Sequence, residues 1–171
     1  NSQLARGMNL LLTPGVYDVE QSISVKRANA LVLGIGHATL TAVDGAVPLT
    51  VGDVPGAIIA GVTIDAGTVE SPTLLQIGKT PGQNTRSDPS NPTTLSDVYF
   101  RVGGPHVGRA TTALEVNSDH VLIDHTWVWR ADHGVEAWAC GEVTAASGSD
   151  GGRVRLVGQH PGWSVWSRSG R

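Results

Sequence analysis

A chain of 171 residues with 40% hydrophobic content is long enough for one domain with a buried core, which excludes disorder. A formal net charge of −3 with no basic stripe argues against a nucleic-acid partner, and the single cysteine, Cys140, excludes an internal disulfide and a cysteine-rich zinc site. With 22 glycines, 9 prolines and 16% charged residues the composition is that of a turn-rich β protein, and no apolar run is long enough to span a bilayer, so no membrane partner is expected.

In chain order, Asn9 to Val19 reads as strand, Pro14-Gly15 turn and strand, and Ser22 to Val25 alternates apolar and polar as a half-buried strand does. Leu31 to Gly36, Leu49 to Gly52 and Pro55 to Asp65 follow as further strands, then Pro72 to Gly78. Lys79 to Pro92 is rich in Pro, Gly, Asn and Ser and reads as a surface loop inserted into one coil. Thr94 to Arg101 is the next strand, and a short loop at Gly103 to His106 precedes Leu114 to Asn117 and the stretch Asp119 to Trp129. Past Gly134 the pattern weakens. Residues 153–157 and 163–166 still alternate like short strands, but the tail finds no place in what comes before.

These strands are copies of one another. Val32, Ile59, Leu95 and Ile123 fall at one position, with spacings of 27, 36 and 28 residues. Self-similarity at such a period signals a solenoid or a propeller. The period is short for a four-stranded propeller blade and helical patterning is nearly absent, so the expected fold is all-β: a single-stranded solenoid of about four to six coils, a parallel β-helix with the right-handed connection that parallel strands prefer.

The repeat also sorts the side chains. Ile59, Val62 and Ile64 align with Leu95, Val98 and Phe100 and with Ile123, Thr126 and Val128, and are expected to point inward. The positions between form outward columns: Ala60, Ser96, Asp124; Gly61, Asp97, His125; Thr63, Tyr99, Trp127; Asp65, Arg101, Trp129. Neighbouring coils lie about 4.8 Å apart, so members of a column touch. Asp97 beside His125 is a candidate general base pair, because a carboxylate orients an imidazole and raises its basicity, or else a hydrogen-bonded pair closing a turn. Ser96 with His125 and Asp97 offers a serine hydrolase group, although no nucleophile elbow of the G-x-S-x-G kind occurs. Tyr99, Trp127 and Trp129 form either a sugar-stacking platform or a packing surface, with Arg101 and Asp65 as hydrogen-bonding neighbours. Asp65, Asp97 and Asp124 partly meet the two-carboxylate requirement of a glycosidase. His120, His125 and His133 lack the spacing of a metal site, so neither a metal nor another cofactor is expected.

The segments 9–17, 31–36, 71–78, 92–104 and 110–134 resemble a secreted bacterial family of right-handed β-helix proteins related to the family-55 glycoside hydrolases, the exo-β-1,3-glucanases built from two β-helices. The resemblance covers residues 7–134. It implies a polysaccharide or oligosaccharide partner, an extracellular location and a β-glucan-type hydrolase, here of weak or residual activity. In those glucanases the general acid is a glutamate in a later part of a much longer chain, and no position here matches its motif.

Residues 1–134 are therefore expected to form the coils and residues 135–171 an atypical tail. No signal peptide is seen, and the abrupt start and tail suggest an internal fragment of a longer protein. A β-helix cut from a longer one exposes edges and apolar surface, so the tail, with Trp138, Trp163 and Trp166, is expected to cap an end or to pack against other copies. A homo-oligomer, with a trimer favoured, is the expected state. Two other functions stay open: an ester or lactone hydrolase using Ser96, His125 and Asp97, and a non-catalytic binding or assembly module.

Overall fold

A computed structural model describes residues 1–79, 87–104 and 106–130, and the backbone of 154–156. A one-turn helix, α1 (Ser2–Ala5), is followed by strands β1 (Leu10–Leu12), β2 (Gly15–Val19), β3 (Ile23–Val25), β4 (Leu31–Ala42), β5 (Leu49–Val51), β6 (Ile58–Asp65), β7 (Ser71–Ile77), β8 (Thr93–Val102), β9 (Ala110–Val116), β10 (Val121–Asp124), β11 (Trp127–Arg130) and β12 (Val154–Leu156). They make two sheets. The larger runs β1-β4-β6-β8-β10, with β2 beside β4 and β11 beside β8; the smaller runs β3-β5-β7-β9-β12.

Every pairing is parallel except that of β12 with β9. The chain alternates between the sheets, and consecutive visits to one sheet pair with each other, which is the winding of a right-handed parallel β-helix. Its register follows the sequence repeat: Val32 pairs with Ile59, Ile59 with Leu95, and Leu95 with Ile123. On the smaller sheet Leu49, Leu75 and Leu114 share a column, and Val51, Ile77 and Val116 share the next.

The core lies between the sheets. Val32, Ile59, Leu95, Leu40, Ile64 and Phe100 from one wall and Leu49, Leu75, Leu114 and Ile77 from the other are buried. Full burial of each such side chain contributes about 1.5–3 kcal/mol, so columns of identical shape stabilise each coil through its neighbours. Ile123, Thr126 and Val128 also belong to inward columns but are only partly buried, because among the described residues no further coil covers them.

The outer edge of β3 is closed by a side chain. Asn1 Oδ1 accepts the Ser24 N–H at 2.7 Å and Asn1 Nδ2 donates to the Ser22 carbonyl at 2.8 Å, as a neighbouring strand would. Leu4 of α1 is buried beneath. The sequence reading did not foresee this helix, since four residues are too few for an amphipathic period. Of the tail, Val154–Leu156 pairs antiparallel with β9. Trp138, Trp163, Trp166 and the expected cap apart from 154–156 lie outside the described residues, as do His133 and half of the expected inserted loop.

Candidate sugar-binding site

In the last three described coils the larger sheet bends at a corner, and one residue at that corner takes a left-handed backbone. The corner residue is Gly61 in β6 (φ 67°), Asp97 in β8 (φ 53°) and His125 between β10 and β11 (φ 49°). Asp and His are among the few side-chain-bearing residues enriched in this conformation. Gly61 has a stricter reason, since a Cβ there would strike the backbone carbonyl of Gly34 in the preceding coil. At the next two coils the corner carries a side chain, and that of His125 leans back toward the coil before it.

That lean brings His125 onto Asp97. Nδ1 of His125 donates to Asp97 Oδ1, and the Tyr99 hydroxyl donates to the same oxygen at 3.4 Å while lying 3.1 Å from Nδ1. The Tyr99 ring meets the imidazole edge-on, with centroids 5.8 Å apart. The hydrogen bond to Asp97 raises the pKa of His125 above its ordinary value, and the same bond lowers that of Asp97. Burial, followed by the Asp97 charge, pushes the Tyr99 phenol up. Ser96 precedes Asp97 on β8 and pairs in register with Ala60 and Asp124. Ser96 therefore adjoins the carboxylate end of the pair. Asp124 is exposed beside it.

One step along the strands, Thr63 pairs with Tyr99 and Tyr99 with Trp127; beyond them Asp65 pairs with Arg101 and Arg101 with Trp129. Trp127 and Trp129 point the same way, two residues apart on one strand, with rings 6.2 Å apart and 11° from parallel. Trp127 is 52% exposed. Thr63, Tyr99, Phe100, Arg101 and both tryptophans line a shallow pocket of about 420 Å³. Its flat apolar walls and few hydrogen-bonding groups suit a pyranose ring, which has an apolar face and a rim of hydroxyls.

Asp65 departs from the expectation of an outward, ligand-accessible carboxylate. Its column faces outward, but its side chain is 1% exposed. The Arg101 guanidinium covers it from the next coil, donating from Nε at 3.0 Å and from Nη2, and His106 Nε2 approaches at 3.2 Å from the loop after β8. The carboxylate in turn raises the pKa of Arg101. Asp65 is thereby withdrawn from direct contact with a ligand, while Arg101, 33% exposed, stays in the pocket wall. His106 could not be found from spacing, because it belongs to a loop with no repeat.

His120 lies away from this group, at the turn before β10, with Ser87 Oγ 3.0 Å from its Nδ1. Among the described residues no group of three His, Cys, Asp or Glu is placed to hold a metal ion.

The chain is similar to known proteins. A family model described as the LAM55 pectate lyase-like domain matches residues 1–160. The chain is 48% identical over 134 residues to an exo-beta-1,3-glucanase of Streptomyces sp. (strain SirexAA-E / ActE), covering 78% of this chain and 22% of that protein. The solved structure of sacteLam55A from Streptomyces sp. SirexAA-E gives a TM-score of 0.74 at 48% identity, over 78% of this chain and 24% of that one. A variant of sacteLam55A in complex with glucose gives 0.70 at 49% identity, over 77% and 23%. The chain spans less than a quarter of the length of these relatives.

Proposed function

The chain belongs to the LAM55 pectate lyase-like family, and from that premise we propose that it is a β-glucan-acting module that works outside the cell, holding its polysaccharide across the outer face of the last described coils. The observation that carries the reading is the open pocket where Thr63, Tyr99, Arg101, Trp127 and Trp129 meet. An indole face takes the apolar side of a glucose ring, while Arg101 and Thr63 supply hydrogen bonds to hydroxyls.

In this reading Asp97 is the base or water-orienting group, and His125 supports it by holding the carboxylate ionised. Glycoside hydrolysis needs a second carboxyl group that protonates the leaving oxygen. Asp65 is spent on Arg101 and His106, and Asp124 stands on the open surface at the outermost described strand. Hydrolysis by this chain is accordingly weak or residual, and binding is its stronger property.

An ester or lactone hydrolase is the alternative to test, although Ser96 adjoins Asp97 and not the imidazole that would take its proton. One set of assays separates the readings: binding and turnover of β-1,3-glucan oligosaccharides and of chromogenic esters, by the wild type and by Asp97→Asn and Ser96→Ala. Glucan turnover lost in Asp97→Asn alone supports the glucanase reading. Ester turnover lost in Ser96→Ala supports the second, and binding with no turnover leaves a non-catalytic module. Absence of glucan binding overturns the proposal.

A further inference from the structure

Two cationic side chains on this face are each paired with a carboxylate. Arg101, the cation of the pocket wall, has its fork closed on a carboxylate that is itself buried, and His125 has its own carboxylate in Asp97. A buried Asp65 cannot turn to meet a ligand, so its structural effect reaches the pocket through Arg101 alone. It fixes the guanidinium plane, leaves the N–H groups beyond the fork for the ligand, and cancels the positive charge that they would otherwise present. A neutral ring with hydroxyls uses the donors and loses nothing by the cancellation. A ring bearing a carboxylate meets a compensated cation and, nearby, the exposed Asp124.

We propose that Asp65 is the residue that sets the charge class of sugar this pocket takes, positioning Arg101 as a neutral-sugar donor and denying uronic acids a free cation. This rests on the reading of the pocket as a sugar site. Asp65 is a positioning residue here; Arg101 makes the contact.

The test uses two probes that differ only in charge: a β-1,3-linked glucose trisaccharide, and the same trisaccharide oxidised at C6 to carboxylates. Titration calorimetry with the wild type is expected to show the neutral probe bound at least as tightly as the carboxylated one, with an affinity for the latter that does not fall between low and moderate salt. In Asp65→Asn the freed cation is partly exposed and screened, so the carboxylated-to-neutral affinity ratio is expected to rise by about two- to fivefold and to become salt-dependent. Adding Arg101→Gln to Asp65→Asn is expected to return the ratio to that of the wild type.

A wild type that prefers the carboxylated probe overturns the inference, and this holds even if Asp65→Asn fails to fold. So does a folded Asp65→Asn with an unmoved ratio, or a raised ratio that survives loss of Arg101. Failure of the underlying site reading looks different: the wild type binds neither probe, or binds the neutral one equally well after Trp127→Ala.

Discussion

His125 reaches back across one coil to Asp97, and both residues hold a left-handed backbone, so the same corner geometry that positions the pair also limits which residues can form it. Two consequences follow for measurement, one in pH and one in substitution.

The pair is held by an imidazolium and a carboxylate. His125 is raised from 6.5 and Asp97 is lowered from 3.8, in both cases first by the hydrogen bond between them. Any stabilisation by this pair is therefore fully present between those two values. It is lost as pH rises through the raised value of His125, and lost again as pH falls through the depressed value of Asp97. Both groups are solvent-exposed, so the titration, rather than global stability, is the sensitive readout. Proton NMR of the imidazole should show His125 titrating above 6.5 in the wild type and moving down in Asp97→Asn. A His125 titration unchanged by that substitution counts against the contact.

Substitution at the corner should follow backbone tolerance more than size. His125→Asn is expected to be nearly neutral, whereas His125→Val, with a β-branched side chain at φ 49°, is expected to cost about 1–2 kcal/mol. Denaturant midpoints for the two variants check this; equal stability would show that the corner relaxes.

The two aromatic environments should separate cleanly. Phe100 is buried in the core column, and Phe100→Ala is expected to destabilise by about 3–5 kcal/mol. Trp127 is exposed, so Trp127→Ala should leave the unfolding midpoint almost unmoved while weakening β-glucan binding by about 1–3 kcal/mol. Loss of stability without loss of binding in Trp127→Ala would reassign this residue to packing.

Leu11, Val16, Ile58 and Leu122 are exposed on strands of the larger sheet. We expect a homo-oligomer, a trimer, in solution, and light scattering at micromolar concentration should return three chain masses. Replacing Val16 and Leu122 by Asp should dissociate it. A monomeric wild type refutes the expectation.

The columns were legible because their members are β-branched or otherwise apolar at period two, and because the copies match closely enough to fix the register. Ile59 and Leu95 align in sequence and pair in space. The corner was half legible. Gly, Asp and His at one repeat position are residue types that tolerate a left-handed backbone, a signal present at Gly61, Asp97 and His125 but read as a general base pair or a turn-closing hydrogen bond and not as a backbone requirement. The fate of Asp65 was not legible. Alternation gives the side on which a residue lies, whereas its cover comes from the reach of Arg101 and from the loop that carries His106, neither of which leaves a periodic trace.

The same corner has an evolutionary reading. Between Leu33 and Ala38, β4 carries four residues where β6 has only Gly61, and yet the pairing resumes in register on both sides of the difference. The two halves of each long strand are thus docked independently, and the hinge between them absorbs a change in length without passing it on. New sequence can enter a coil at this point while the core stays as it was, and a protein engineer could graft a loop between Gly34 and His37 on the same grounds.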